Sequence, residues 1–185
     1  MDNTIIVNKP EVEGIGVTAT LFNTSTGLYM QDLTLKNAYP FDKSTGRAVC
    51  LQDKGTQTIC KNVKMLSYQD TYYSNNNKGQ YYFEGSDIHG IVDFICGGGD
   101  VFFNKCTLTL EPGKGSYITA PYTDGTDYGY VFDGCKIVGS ATDSFTFGRS
   151  WGGTAKCAFL NTILDKNAAA NIASPRWTTD GMNVV

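Results

Sequence analysis

A chain of 185 residues that is 41% hydrophobic is long enough to bury a substantial core and too apolar to be disordered. Its net charge of −3 gives no basic stripe, so nucleic acid is not an expected partner, and no apolar run approaches the roughly 20 residues of a membrane span. Six cysteines with no C-x-x-C pair read as buried small hydrophobes rather than a disulfide framework, and the single histidine, His89, leaves neither a Ser-His-Asp triad nor a zinc ligand set.

The opening stretch, MDNTIIVNKPEVEG, lacks the basic start, long apolar stretch and small-residue cleavage site of a signal peptide. A cytoplasmic protein and a mature or trimmed chain are both open at this point. Short β-rich runs then recur: LYMQDLTLKN (28–37), TICKNVKML (58–66), YYFEGSDIHG (81–90), VFFNKCTLTL (101–110), YVFDGCKIVG (130–139) and CAFLNTILDK (157–166). Several show two or three apolar residues, a polar or Gly corner, then an aliphatic alternation. With Leu35, Met65, Ile88, Leu108, Ile137 and Leu164 in one slot, the steps are 30, 23, 20, 29 and 27 residues, the scale of one solenoid coil. Helical periodicity is absent, and a β-sandwich would give similar short strands. The repeated corner favours an all-β parallel β-helix, a single domain over residues 1–185, whose coils stack their inward aliphatics. Cys106 and Cys135 hold one register in neighbouring repeats, as an interior column requires. DKSTG (42–46) and YTDGTDYG (122–129) read as turns or protruding loops.

Residues 67–100 place Asp70 and Asp93 as isolated acids among aromatic and aliphatic residues. A carboxylate there loses hydration, so it needs a partner or a shifted pKa. Arg149, in SFTFGRSWGG (144–153), sits among aromatics and glycines where a guanidinium pairs with a carboxylate or a ligand anion. Trp151, two residues on, projects to the same side of a strand. The tyrosines at 68, 72, 73, 81 and 82 suit a sugar-groove wall and also plain stacking. Strict alternation in IVDFIC points Val92, Phe94 and Cys96 into the coil and Ile91, Asp93 and Ile95 outward, which separates Cys96 from Asp93. His89 reads as a structural or rim residue and GGGD (97–100) as a tight turn.

YQDTYY (68–73), GIVDFICG (90–97) and FGRSWGG (147–153), supported by GRAVCL, GSYITAP and YVFDGCKI, resemble in order the Q-D-T-L-Y, G-x-V-D-F-I-F-G, L-G-R-P-W, Q-A-V-A-L, x-I-T-A-Q and F-V-F-x-N-C-x-I elements of the pectin methylesterases (pectinesterases). The resemblance implies a right-handed parallel β-helix that demethylates polygalacturonate without metal or organic cofactor. It implies Asp93 as nucleophile, Asp70 as acid and then base, Gln69 as oxyanion donor, and Arg149 as the group that holds and ionises Asp93. Trp151 would contact the sugar, and Trp177 is similar to a later aromatic of the family that would contact substrate, with core packing an equal reading. The family's first strands, including G-x-Y-x-E, and its C-terminal end have no counterpart here. The chain thus reads as a central portion truncated at both ends, of a protein that is secreted, periplasmic or at the cell surface. Pectin is the implied partner, with neither nucleic acid nor membrane, and exposed coil ends favour self-association.

The chemistry stands without the family. Two adjacent carboxylates cannot both ionise cheaply, and an Arg beside one with an apolar setting for the other drives their pKa values apart. Three departures stand out. Arg47 replaces the Gln of Q-A-V-A-L and could donate to an oxyanion, bind a substrate carboxylate, or pair with Asp70 and spoil its acid role. Cys96 replaces a Phe, and Ser150 replaces a Pro. The alternatives are a non-catalytic carbohydrate-binding relative, a calcium-dependent lyase, for which no acid cluster is evident, and an esterase for another acyl ester.

Overall fold

A computed structural model describes residues 3–40, 46–113, 116–139, 144–152 and 154–178; positions 42–45 of the expected DKSTG loop lie outside the described residues. The chain is a parallel β-helix, in which, among the described residues, three sheets of seven, seven and six strands run the length of the stack. Every strand pairs in parallel with its counterpart one coil away.

Each of the six recurrent runs contributes a strand of the third sheet, one corner, and a strand of the first sheet. The corners are Asp32, Asn62, Gly85, Lys105, Gly134 and Asn161, and all six take the left-handed conformation, with φ between 48° and 61°. One residue there turns the chain without breaking the ladder: Asn62 N–H donates to Glu84 C=O at 2.8 Å, and Lys105 N–H to Asp133 C=O at 2.9 Å. Glycine, Asn and Asp tolerate this region best, which explains the polar or Gly punctuation of the repeats.

After the corner, the expected slot is a continuous column. Leu35 pairs with Met65, Met65 with Ile88, Ile88 with Leu108, Leu108 with Ile137, and Ile137 with Leu164. A second inward column on the third sheet runs Met30, Cys60, Phe83, Phe103, Phe132, Phe159. Its aromatic part is stacked, at 4.9, 4.4 and 4.4 Å between successive rings from Phe83 to Phe159. The six cysteines are unpaired thiols and all but Cys157 are buried, as expected of small hydrophobes.

Elsewhere the sheets are tied by local chemistry. The Gly97 of GGGD lies so close to the coil below that a Cβ would stand 2.0 Å from Ser74 C=O, so only glycine fits. His89 sits on the outer face of the first sheet, 2.6 Å from Glu111 Oε1 and 2.9 Å from Asp87 Oδ2. Burial opposes its charge, but the two carboxylates prevail and lift it to about 9, a structural tie between coils. A six-residue helix, Lys166–Asn171, not foreseen from the repeat pattern, starts at Asp165, whose side chain caps Ala168 N–H at 2.8 Å.

Phe103 is fully buried at the centre of the stacked column. Phe103→Ala is expected to cost about 3–5 kcal/mol in chemical denaturation, whereas Phe102→Ala, next to it on the outer face, is expected to cost under about 1 kcal/mol.

Candidate active site

The chain passes from the first sheet to the second through two further left-handed corners, and these are the acids: Asp70 with φ 56° and Asp93 with φ 48°. Successive coils superpose them. Arg47 bridges Gln69, Gln69 bridges Val92, and Asp70 N–H donates to Val92 C=O at 3.3 Å. A left-handed non-glycine residue is strained unless its surroundings fix it, and such residues concentrate at functional sites.

The corner also resets which side chains face outward. After Asp93, Phe94 and Ile95 both enter the core while Cys96 faces the pocket that holds the acids. Strict alternation had placed Ile95 outside and Cys96 inside. The left-handed turn at Asp93 breaks the period of two and inverts them. Burial keeps the Cys96 thiol protonated, which denies it a nucleophilic role.

Arg149, at the end of the strand Phe145–Arg149, grips Asp93 as a two-pronged clasp: Nε to Oδ1 at 3.0 Å and Nη2 to Oδ2 at 2.6 Å. The Tyr117 ring lies 4.3 Å beneath its guanidinium carbon, fixing it by stacking and cation–π attraction. Burial raises the Asp93 carboxyl and Arg149 works against that rise. Asp70 is buried as deeply but has no cation in contact among the described residues, and Asp93 stands beside it; burial first, then that neighbouring charge, push it up to about 7. The two carboxylates thus differ in setting: Asp93 is clasped by a guanidinium that favours its charge, and Asp70 is able to carry a proton at neutral pH.

Gln69, Arg47 and Trp151 line the same pocket, of about 150 Å³. Trp151 also borders an adjoining pocket of about 440 Å³ with Tyr73 and Tyr122, and its ring tilts against Tyr73 at 5.7 Å. A larger cavity of about 460 Å³, over Tyr82 and Phe102, is on the third sheet and shares no residue with the acids. Arg47 pairs with Glu13 rather than Asp70, at 2.7 Å. Trp177 corrects one expectation: it pairs with Gly148 in the inward column that also holds Tyr72 and Ile95, so its ring packs over that glycine instead of lining the acid pocket. No motif or spacing marked Glu13 or Ile15, which reach the pocket region from far upstream, or Cys96 as facing it.

The family model described as pectinesterase matches residues 1–181. Pectinesterase 1 of Olea europaea is 34% identical over 150 residues, covering 78% of this chain and 40% of the relative. The deglycosylated pectin methylesterase of Aspergillus niger superposes with a TM-score of 0.80 at 26% identity, over 98% of this chain and 60% of that one. A pectin methylesterase solved with a hexasaccharide superposes with a TM-score of 0.72 at 27% identity, over 84% of this chain and 56% of that one. The chain thus spans about half the length of these relatives.

Asp70 yields a stability test. Its folded-state pKa lies above the ordinary value of 3.8, so its contribution is complete below about pH 4 and is lost as pH rises through about 7. Asp70→Asn, which also tolerates the left-handed corner, is expected to match the wild type in thermal melts near pH 4 and to exceed it above about pH 8. The gap from 3.8 to about 7, at about 1.4 kcal/mol per pH unit, caps that gain at about 4 kcal/mol.

Proposed function

The chain belongs to the pectinesterase family, and from that premise we propose that it is a carboxylic ester hydrolase that demethylates methyl-esterified polygalacturonate to free carboxylates and methanol. The observation that carries this reading is the clasp of Arg149 on Asp93 beside a buried Asp70 with no such clasp. The hexasaccharide in a related structure supports a sugar polymer as the ligand class.

In this mechanism ionised Asp93 attacks the ester carbonyl carbon, and the Gln69 amide donates to the oxyanion that develops, a contact worth a few kcal/mol in comparable sites. Asp70 hands its proton to the departing methoxide, which leaves as methanol. An acyl anhydride then links substrate to Asp93. Asp70, now ionised, takes a proton from water as that water attacks the acyl carbon, and the tetrahedral intermediate collapses to free carboxylate and restored Asp93. Trp151 and Tyr73 supply an aromatic wall for the sugar. The pairing of Arg47 with Glu13 leaves Asp70 its proton, which favours catalysis over carbohydrate binding alone. A methylated cell-wall polymer also places the working protein outside the cytoplasm.

Methanol release from highly methylated pectin is expected, without unsaturated sugar products, and is expected to fall by at least about 10³-fold in Asp93→Asn and in Asp70→Asn. The rate should decline as pH rises through about 7, where Asp70 gives up the proton that the leaving group needs. Release that persists undiminished in Asp93→Asn would sink the aspartyl mechanism.

A further inference from the structure

Arg47 lines the acid pocket, yet its guanidinium is engaged by a carboxylate of its own chain. Nε meets Glu13 Oε2 at 2.8 Å and Nη2 meets Glu13 Oε1 at 2.7 Å, the paired contact by which a guanidinium recognises a carboxylate. The two partners are mounted differently. Arg47 is fixed in the coil stack by its bridge to Gln69. Glu13 is in an irregular stretch between strands, joined to that coil by Gly14 N–H on Arg47 C=O at 3.1 Å and by the Thr18 hydroxyl, which reaches Gly14 C=O at 2.7 Å and Arg47 C=O at 3.3 Å.

The pair is also open to exchange. The Arg47 and Glu13 side chains are 45% and 33% exposed, and a solvent-facing ion pair contributes only about 0–1 kcal/mol. A second carboxylate delivered by a bound ligand therefore competes with Glu13 on nearly equal terms. Position says which carboxylate that is. Arg47 is two coils from the coil of Asp93, about 10 Å at the spacing of paired strands. On a uronate polymer the group at Asp93 is an ester, and the groups within that reach belong to neighbouring sugars. A methyl ester offers the fork no charge, whereas a free acid offers two oxygens in the required geometry.

We propose that Arg47 selects a free carboxylate on a sugar neighbouring the ester under attack, and that Glu13 occupies the fork as a built-in surrogate which that carboxylate displaces. The proposal rests on the polygalacturonate reading given above and adds to it a preference for polymer that is already partly de-esterified. The reaction itself produces such carboxylates, so each demethylated sugar improves the chain as a ligand for this fork.

Equilibrium binding tests it without turnover. Calorimetric titration with unesterified hexagalacturonate at low salt is expected to show Glu13→Gln binding about three- to tenfold tighter than wild type and Arg47→Gln at least about tenfold weaker. Arg47→Lys, which keeps the charge and loses the fork, should fall between wild type and Arg47→Gln. The fully methylated hexamer, titrated with all four proteins also carrying Asp93→Asn so that it is not hydrolysed, should bind them alike. Equal affinity of wild type and Arg47→Gln for the unesterified hexamer, or a Glu13→Gln protein that binds it no tighter or not at all, overturns the proposal. Methanol release measured in parallel keeps the two readings apart: absent release with this binding pattern intact defeats the esterase alone, and normal release with binding insensitive to Arg47 defeats the selection alone.

Discussion

A single residue in the left-handed conformation, repeated at equivalent places along the chain, is the constraint on which the rest depends. Between the third and first sheets it turns the chain at Asp32, Asn62, Gly85, Lys105, Gly134 and Asn161 while the parallel ladder continues. Because each turn uses one residue, consecutive coils stay in register and the inward columns remain unbroken. Between the first and second sheets the same device is used at Asp70 and Asp93. There it lifts two carboxyl groups out of the alternation and superposes them.

From that placement the electrostatics follow. Two acids one coil apart repel, and burial penalises the charge of each. Arg149 offsets part of that penalty at Asp93, and its own orientation is held by the Tyr117 ring and the strand that carries it. Arg47 belongs to the same field but is committed to Glu13. The site thus holds two guanidiniums with separate partners, one fixed deep beside Asp93 and one paired with Glu13 at the solvent edge.

Much of this was legible in the sequence for a reason peculiar to solenoids: spatial neighbours are sequence repeats, so the slot from Leu35 to Leu164 could be read by aligning the runs with one another. The acids and Arg149 were legible as charges in apolar surroundings. Cys96 and Ile95 were misassigned because strand alternation assumes extended backbone on both sides, and the turn at Asp93 interrupts it. Trp177 was equally readable as a groove or a core residue, and only its register against Gly148 assigns it to the inward column. Glu13 was invisible. It lies 34 residues from Arg47 in a stretch outside the repeat, where neither spacing nor composition marks a partner.

The clasp between Asp93 and Arg149 joins residues 56 apart, with the coil of Tyr117 and Ala120 between them. Asp93 gains its guanidinium partner only once the later coil has docked and the stack is continuous. A partly folded chain therefore lacks the clasp, whatever portion of the motif it has already assembled. The clasp thus doubles as a mark of the continuity of the solenoid from Asp93 to Arg149.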